Sequence, residues 1–394
     1  MKRVVLNFIF KDEEHVIERM LNSNLHFADL IVCVDTGSTD NTVDVIKKWA
    51  EINKKQLYIF YRTFDYFDNS RNFALNKLKE VVRTLGWDET RTYGYWLDCD
   101  EVVTDKGFDK NTLTEDSYLC KVHLNGDIFS RLTFFRLDLP FFWYGPVHEY
   151  LKCEPKFTCA VIENFEINVY NDGNSWQNNL TEKYLNHANI LEKHLQKNDI
   201  TDAARWLFYL AQSYYFSALF TFNNDDRICK LNKALKVYRE RVVMTADGYS
   251  EEIFYSQYII GRISYLLEKD WDVVLNEYTK ADDIDPIRAE TTYKIICHYY
   301  DNDNYTSAYE YSKKSLKLYH GKNPFPQRLL FVELELYNWK LLYKHLKICV
   351  KINHIDEAKI TVEELNNLVD ESPEWFNSED LNDIREVNQF LMYF

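Results

Sequence analysis

The chain has 394 residues, 46% hydrophobic and 16% aromatic, with only 10 Gly and 7 Pro. That is too long for one ordinary core and too poor in breakers for a low-complexity chain, so two well-packed domains are expected. A formal charge of -15 without any basic tail or block argues against nucleic acid and anionic membrane surfaces as partners.

The opening MKRVVLNFIF resembles a short signal peptide. The apolar run stops at Lys11-Asp12-Glu13-Glu14 with no small-residue cleavage site, so residues 3–10 read as a buried first strand. No apolar run reaches membrane-spanning length. A helix is expected over 12–23, a second strand over LIVCVD (30–35), and a helix carrying Val43, Ile46 and Trp49 after the turn TGSTDNT, with Ser38, Thr39 and Asp40 as caps. LYIFYR (57–62), a helix over 69–82 and the strand GYWLDCD (94–100) follow. This alternation predicts a parallel sheet with right-handed crossovers, whose ligands bind at the carboxyl ends of the strands. Asp35 and Asp98 stand at two such ends. Beyond residue 115, SYLCKVHL, RLTFFRLD and CAVIENFEINVY read as an antiparallel extension.

After about residue 172 strand signals give way to amphipathic helices. Residues 268–286 and 302–318 align as offset copies, with Trp271 and Tyr305 34 positions apart, near the tetratricopeptide period. The expected architecture is an α/β domain over 1–172 and an all-α solenoid of about four helix pairs over 173–394. The eight scattered cysteines have no usual zinc spacing and read as reduced thiols of a cytosol-like compartment.

Four stretches carry chemistry. In WLDCDE (96–101), strand alternation would turn Asp98 and Asp100 to one side and Cys99 to the other, so that the two acids could share a divalent cation. In VDTGSTDNT (34–42), Gly37 permits a tight turn and Asp35 offers acceptors to a ribose or base. The alternative there is an ordinary capped junction. Arg71, at a predicted helix start, could reach a diphosphate, or form a surface ion pair with Asp65 or Asp68. In WYGPVHEYL (143–151), His148 adds a third metal donor and is followed by Glu149.

The opening strand with KDEE, then VDTGSTDNT, FDNSRN, WLDCDE and GPVHEYL after FFRLD, in this order, resembles the family 2 type glycosyltransferases of GT-A fold over residues 3 to about 172. A subgroup of that family carries tetratricopeptide-like helices after the catalytic domain. Asp12 departs from the Asn common there.

The resemblance implies an inverting, metal-dependent transfer of a sugar, of hexosyltransferase type, from a nucleotide sugar, by family habit a UDP-sugar. Phe10 and Lys11 would lie near the base and Asp35 would anchor it. Arg71 would face the diphosphate and Asp98 the ribose or donor sugar. Asp100 and His148 would hold Mn²⁺, with Mg²⁺ the alternative. Glu149 would be the general base, ahead of Glu101.

The acceptor would be a glycan or a protein, and the helical half would dock it or pair subunits of a homo-oligomer. The expected place is the cytoplasm, or a host cytoplasm or membrane periphery. A catalytically inactive scaffold with this fold is the alternative class. A nucleotidyltransferase is disfavoured because KDEEHV lacks the glycine and basic residues of a phosphate loop.

Overall fold

The computed structural model describes residues 1–124, 127–177, 179–197, 201–246, 248–322 and 331–393. They group into two compact units, residues 1–201 with 212–230, and residues 202–211 with 231–394.

In the first unit, β1 (Arg3–Phe10), α1 (Ile17–Ser23), β2 (Leu30–Asp35), α2 (Thr42–Ile52), β3 (Leu57–Tyr61), α3 (Phe67–Thr84) and β4 (Thr92–Trp96) alternate as expected. Strands β3, β2, β1 and β4 lie side by side and parallel. Seven of the eight β1 residues are buried, as a parallel strand covered on both faces requires. Val4, Leu6, Phe8 and Phe10 pack with α1 and α2. Val5 packs on the other face with Leu75, Leu78 and Val82 of α3.

The chain continues through β5 (Glu101–Asp105), β6 (Ser117–Leu124), β7 (Asp127–Arg136), β8 (Phe142–Tyr144), β9 (Tyr150–Lys152) and β10 (Cys159–Val169). β8 and β9 form a separate hairpin. The eight-stranded order is β3-β2-β1-β4-β7-β6-β10-β5. The extension is mixed rather than antiparallel. β7 runs against β4 and β6, but β10 runs parallel to β6 and against β5. The β8–β9 excursion returns the chain to the end it left, and that reverses the direction of β10.

Leu97–Asp100 alone connect β4, fourth in the order, to β5, eighth. A flat sheet would separate these strands by roughly 19 Å. The backbone turn from Asp98 to Glu101 (N···O 3.1 Å) leaves the linker far shorter than that. The sheet therefore curls, and the acid-rich turn closes the curl.

The described elements after β10 are helices: α4 (Asn174–Gln177), α5 (Leu180–Leu195), α6 (Ala203–Leu219), α7 (Asn224–Val242), α8 (Ser250–Leu266), α9 (Trp271–Ile284), α10 (Glu290–Asp301), α11 (Tyr305–Tyr319), α12 (Leu341–Lys351), α13 (Ile355–Glu371) and α14 (Ser378–Leu391). In the second unit, α8/α9, α10/α11 and α12/α13 are tetratricopeptide-like helix hairpins. Each has a left-handed residue in its turn, Glu268, Asp303 and Asn353. Gly261 lets α9 approach α8: a methyl there would sit 2.5 Å from the Tyr278 ring. None of the described helices is long and apolar enough to cross a membrane.

Candidate active site

The carboxyl ends of β1 and β4 open into a cavity of about 1040 Å³, lined among others by Phe10, Lys11, Arg71, Asp98, Asp100, His148 and Glu149. The structure thus brings together seven of the nine residues singled out in the sequence. Asp35 lines an adjoining cavity of about 610 Å³ that shares Lys11, Thr36 and Phe64 with the first. Glu101 lines neither.

Asp98 and Asp100 do not stand on a strand, because β4 ends at Trp96. They lie in the turn that closes the sheet. The alternation expected from a strand is absent, although Cys99 still points inward and is buried, its thiol 3.8 Å from the Ile9 carbonyl.

Two arginines, Arg71 buried and Arg131 partly buried, settle most of the charge. Arg131 donates from both terminal nitrogens to Glu101, at 2.6 and 2.7 Å, while Glu101 also accepts the Asp98 backbone N–H at 3.0 Å. Arg71 donates to Asp98 Oδ1 and Glu149 Oε1, both at 2.5 Å. It is 6% exposed and packs over Trp96 and Trp143. The surface pairing with Asp65 or Asp68 does not occur, and Asp65 bonds Arg62 instead. Trp96 carries the Arg131 guanidinium as well, 4.0 Å from its ring, so one indole supports both cations.

Partial burial opposes ionisation of Asp98, but Arg71 and Arg131 outweigh it and hold its carboxyl below the usual range. Asp100 has no such partner. Burial first, then Asp98, Glu101 and Glu13, push its carboxyl up to about 7. It is the acid whose charge the protein's own cations leave least compensated, and a divalent cation suits it. As placed, the ligand atoms of Asp98, Asp100 and His148 do not converge within 4.8 Å of one another.

Segments past β10 close the cavity. The Asn174 N–H donates to Glu13 Oε2 at 3.0 Å. A methyl on Gly173 would stand 3.2 Å from Glu13 Oε2 and 3.3 Å from Asp100 Cβ, so any larger residue would have to push those side chains back by a few tenths of an ångström. Lys183 of α5 lies over the Trp176 ring at 3.8 Å. Burial lowers its pKa, while the nearby Asp100 and Asp98 raise it. His187 is held neutral, at about 4, by burial and by Lys183, and meets the His148 ring edge-on.

The turn after β2 is built by side chains. Asp35 Oδ1 accepts from the Gly37 and Ser38 N–H groups, at 3.0 and 2.8 Å. The helix expected over 12–23 begins only at Ile17, because residues 12–14 dock on this turn. Ser38 Oγ accepts from Asp12 N, Thr42 Oγ1 from Glu13 N, and Asp40 from Glu14 N. Of the expected caps, only Asp40 bonds the first turn of α2, through Thr42. Asp12 has φ +55° and its Oδ1 accepts from Thr39 and Asp40 N–H groups. An Asn carbonyl would accept the same bonds in the same backbone region.

Arg131, Glu13, Lys183 and His187 were not singled out from sequence. Arg131 left one legible signal, a basic residue inside an apolar strand run. Lys183 and His187 left none, since a polar face is ordinary on a surface helix.

Residues 8–110 match the family model described as Glycosyl transferase family 2. The chain is 23% identical over 310 residues to the SPbeta prophage-derived glycosyltransferase SunS of Bacillus subtilis (strain 168), and equally to the glycosyltransferase SunS of Bacillus phage SPbeta. The alignment takes in 73% of this chain and 66% of each relative, just under two thirds of their length. Among solved structures, S. aureus TarS 1-349 in complex with UDP is 16% identical, with TM-score 0.35 over 71% of this chain and 90% of that one. MamA is 13% identical, with TM-score 0.35 over 52% and 99%.

Proposed function

We propose, since residues 8–110 match the glycosyl transferase family 2 model, that this chain is an inverting, metal-dependent glycosyltransferase moving a sugar from a nucleotide sugar to an acceptor hydroxyl. The observation that carries the reading is the cavity at the β1 and β4 ends, with Asp100 undercompensated beside arginine-neutralised Asp98. The two glycosyltransferase relatives support the same class. UDP as the nucleotide follows the habit of the family, and the acceptor is a glycan or a protein.

Residues 1–172 form the catalytic domain in this reading, and α5 of the helical region 173–394 supplies one cavity wall. Phe10 in the main cavity and Lys11 and Asp35 in the adjoining one take the nucleotide, where Asp35, its Oδ1 committed to the turn, offers Oδ2 to base or ribose. Asp98, fixed by Arg71, faces the ribose or donor sugar. Asp100 and His148 would hold a divalent cation, Mn²⁺ ahead of Mg²⁺ because one donor is an imidazole. When bound, that ion supplies positive charge to the diphosphate leaving group.

Arg71 and Lys183 face the same leaving group from two sides, and both gain from the charge that develops on it. Glu149 takes the acceptor proton. It lines the cavity at the end of the Arg71 pair, whereas Glu101 has both oxygens bound by Arg131 and no access. Glu101 and Arg131 then position the turn.

Release of nucleoside diphosphate from a panel of nucleotide sugars, with and without Mn²⁺, tests this. One donor should be cleaved in a metal-dependent way, and Asp100→Ala should lower the rate at least about 10²-fold with the fold intact. Undiminished activity in Asp100→Ala would overturn the mechanism. Metal-independent inertness towards every donor would favour the scaffold.

A further inference from the structure

The second unit holds a cluster with no part in that chemistry. His345 and Cys349 lie one turn apart on α12, and Glu357 lies in the first turn of α13. Cys349 Sγ is 3.4 Å from His345 Nε2, and Nε2 is 3.3 Å from Glu357 Oε1. Among the described residues this is the one set of three His, Cys or acidic side chains whose ligand atoms lie within 4.8 Å of one another. His345 is 2% exposed and Cys349 0%.

Ser312 Oγ is 2.9 Å from the Tyr309 carbonyl, to which it donates, and 2.8 Å from His345 Nδ1. With Nδ1 as the N–H that donates to Ser312, Nε2 turns its lone pair towards Cys349 Sγ and Glu357 Oε1, the arrangement a metal ligand uses. Lys313, 3.8 Å from Glu357 Oε1 and largely exposed, offsets the acid only from outside.

We propose that the α12–α13 hairpin is a structural site for a zinc-class divalent cation, held by His345 Nε2, Cys349 Sγ and Glu357 Oε1. A tetrahedral ion with ordinary Zn–N, Zn–S and Zn–O bonds has donor–donor edges of roughly 3.4–3.6 Å. The observed 3.4 and 3.3 Å match those edges. The supporting contacts are those that metal ligands use: the Ser312 oxygen orients the imidazole, and the Tyr309 hydroxyl donates to Glu357 Oε2 at 2.6 Å. His354 Nδ1 lies 3.7 Å from Glu357 Oε2, the carboxylate oxygen not used as a ligand. Binding releases the Cys349 proton to solvent and ties the two helices of the hairpin together.

The full chain carrying Asp100→Ala, so that the acid-rich cavity does not report, is stripped with EDTA and titrated with Co²⁺ alone. A near-ultraviolet thiolate-to-cobalt band should saturate at one equivalent and disappear on adding Zn²⁺. Cys349→Ser should abolish the band, and Glu357→Gln should weaken Co²⁺ binding at least about tenfold. No band, or a band that survives Cys349→Ser, overturns the site and leaves a shared proton between Nε2 and Oε1. Should Cys349→Ser unfold the hairpin, by circular dichroism, Glu357→Gln decides alone, because its side chain lies at the partly exposed rim, and unchanged affinity there overturns the proposal as well.

Discussion

Asp98, Asp100 and Glu101 look alike in the sequence and end in three different electrostatic states. Glu101 is locked by Arg131, Asp98 is balanced by Arg71, and Asp100 carries the strain. This sets a pH dependence. The Asp100 carboxyl lies at about 7 in the fold, against about 3.9 unfolded. Between these values the folded state holds the extra proton. Stability contributed by that proton is complete below pH 4 and lost as pH rises through 7. Asp100→Asn should therefore stabilise the metal-free chain by about 2–4 kcal/mol at pH 8 and have little effect at pH 4. Urea denaturation in EDTA at the two pH values measures this. Equal effects at both would show that the charge is relieved some other way.

At the element scale, the decisive pieces are short connections. The Leu97–Asp100 turn carries the chain from the middle of the sheet to its far edge, and the segment around Gly173 passes over that turn. In the helical unit the close contact is between α8 and α9. A methyl at Gly261 meets the Tyr278 ring, which is itself buried. Gly261→Ala gains helix propensity of about 1 kcal/mol but must displace that ring, and overpacking costs about 1–3 kcal/mol. The net expectation is a loss of up to about 2 kcal/mol, with the thermal midpoint as the readout. A gain would mean that Tyr278 has room to turn.

For the whole molecule, the first unit is larger than the stretch that carries the motifs. Lys183 and His187 of α5 line the same cavity as Asp98 and Asp100. A chain ending at residue 172 should therefore bind nucleotide sugar at least about tenfold more weakly than the full chain, even where it folds, because each charge-assisted contact contributes about 1.5–3 kcal/mol. Calorimetry on the two chains, with Mn²⁺ present, decides it. Lys183→Ala in the full chain should reproduce part of the loss. Equal affinities would leave α5 a cover without a binding role.

The sequence by itself determined the alternating α/β half, the helical half and its repeat, and seven residues that meet in one cavity. These signals are local. Apolar runs mark buried strands, a 34-residue period marks hairpins, and acids and a histidine collect at strand ends. Only the tertiary structure decided where β10 and β5 lie, that Asp98 and Asp100 stand on a turn, and that Arg71 is buried against two indoles. It alone brought Arg131 to Glu101 and α5 to the cavity, and set His345 against Cys349 and Glu357. Each of these depends on partners distant in sequence. A side chain's charge can be read from its letter, but its compensation depends on what the fold puts within about 4 Å.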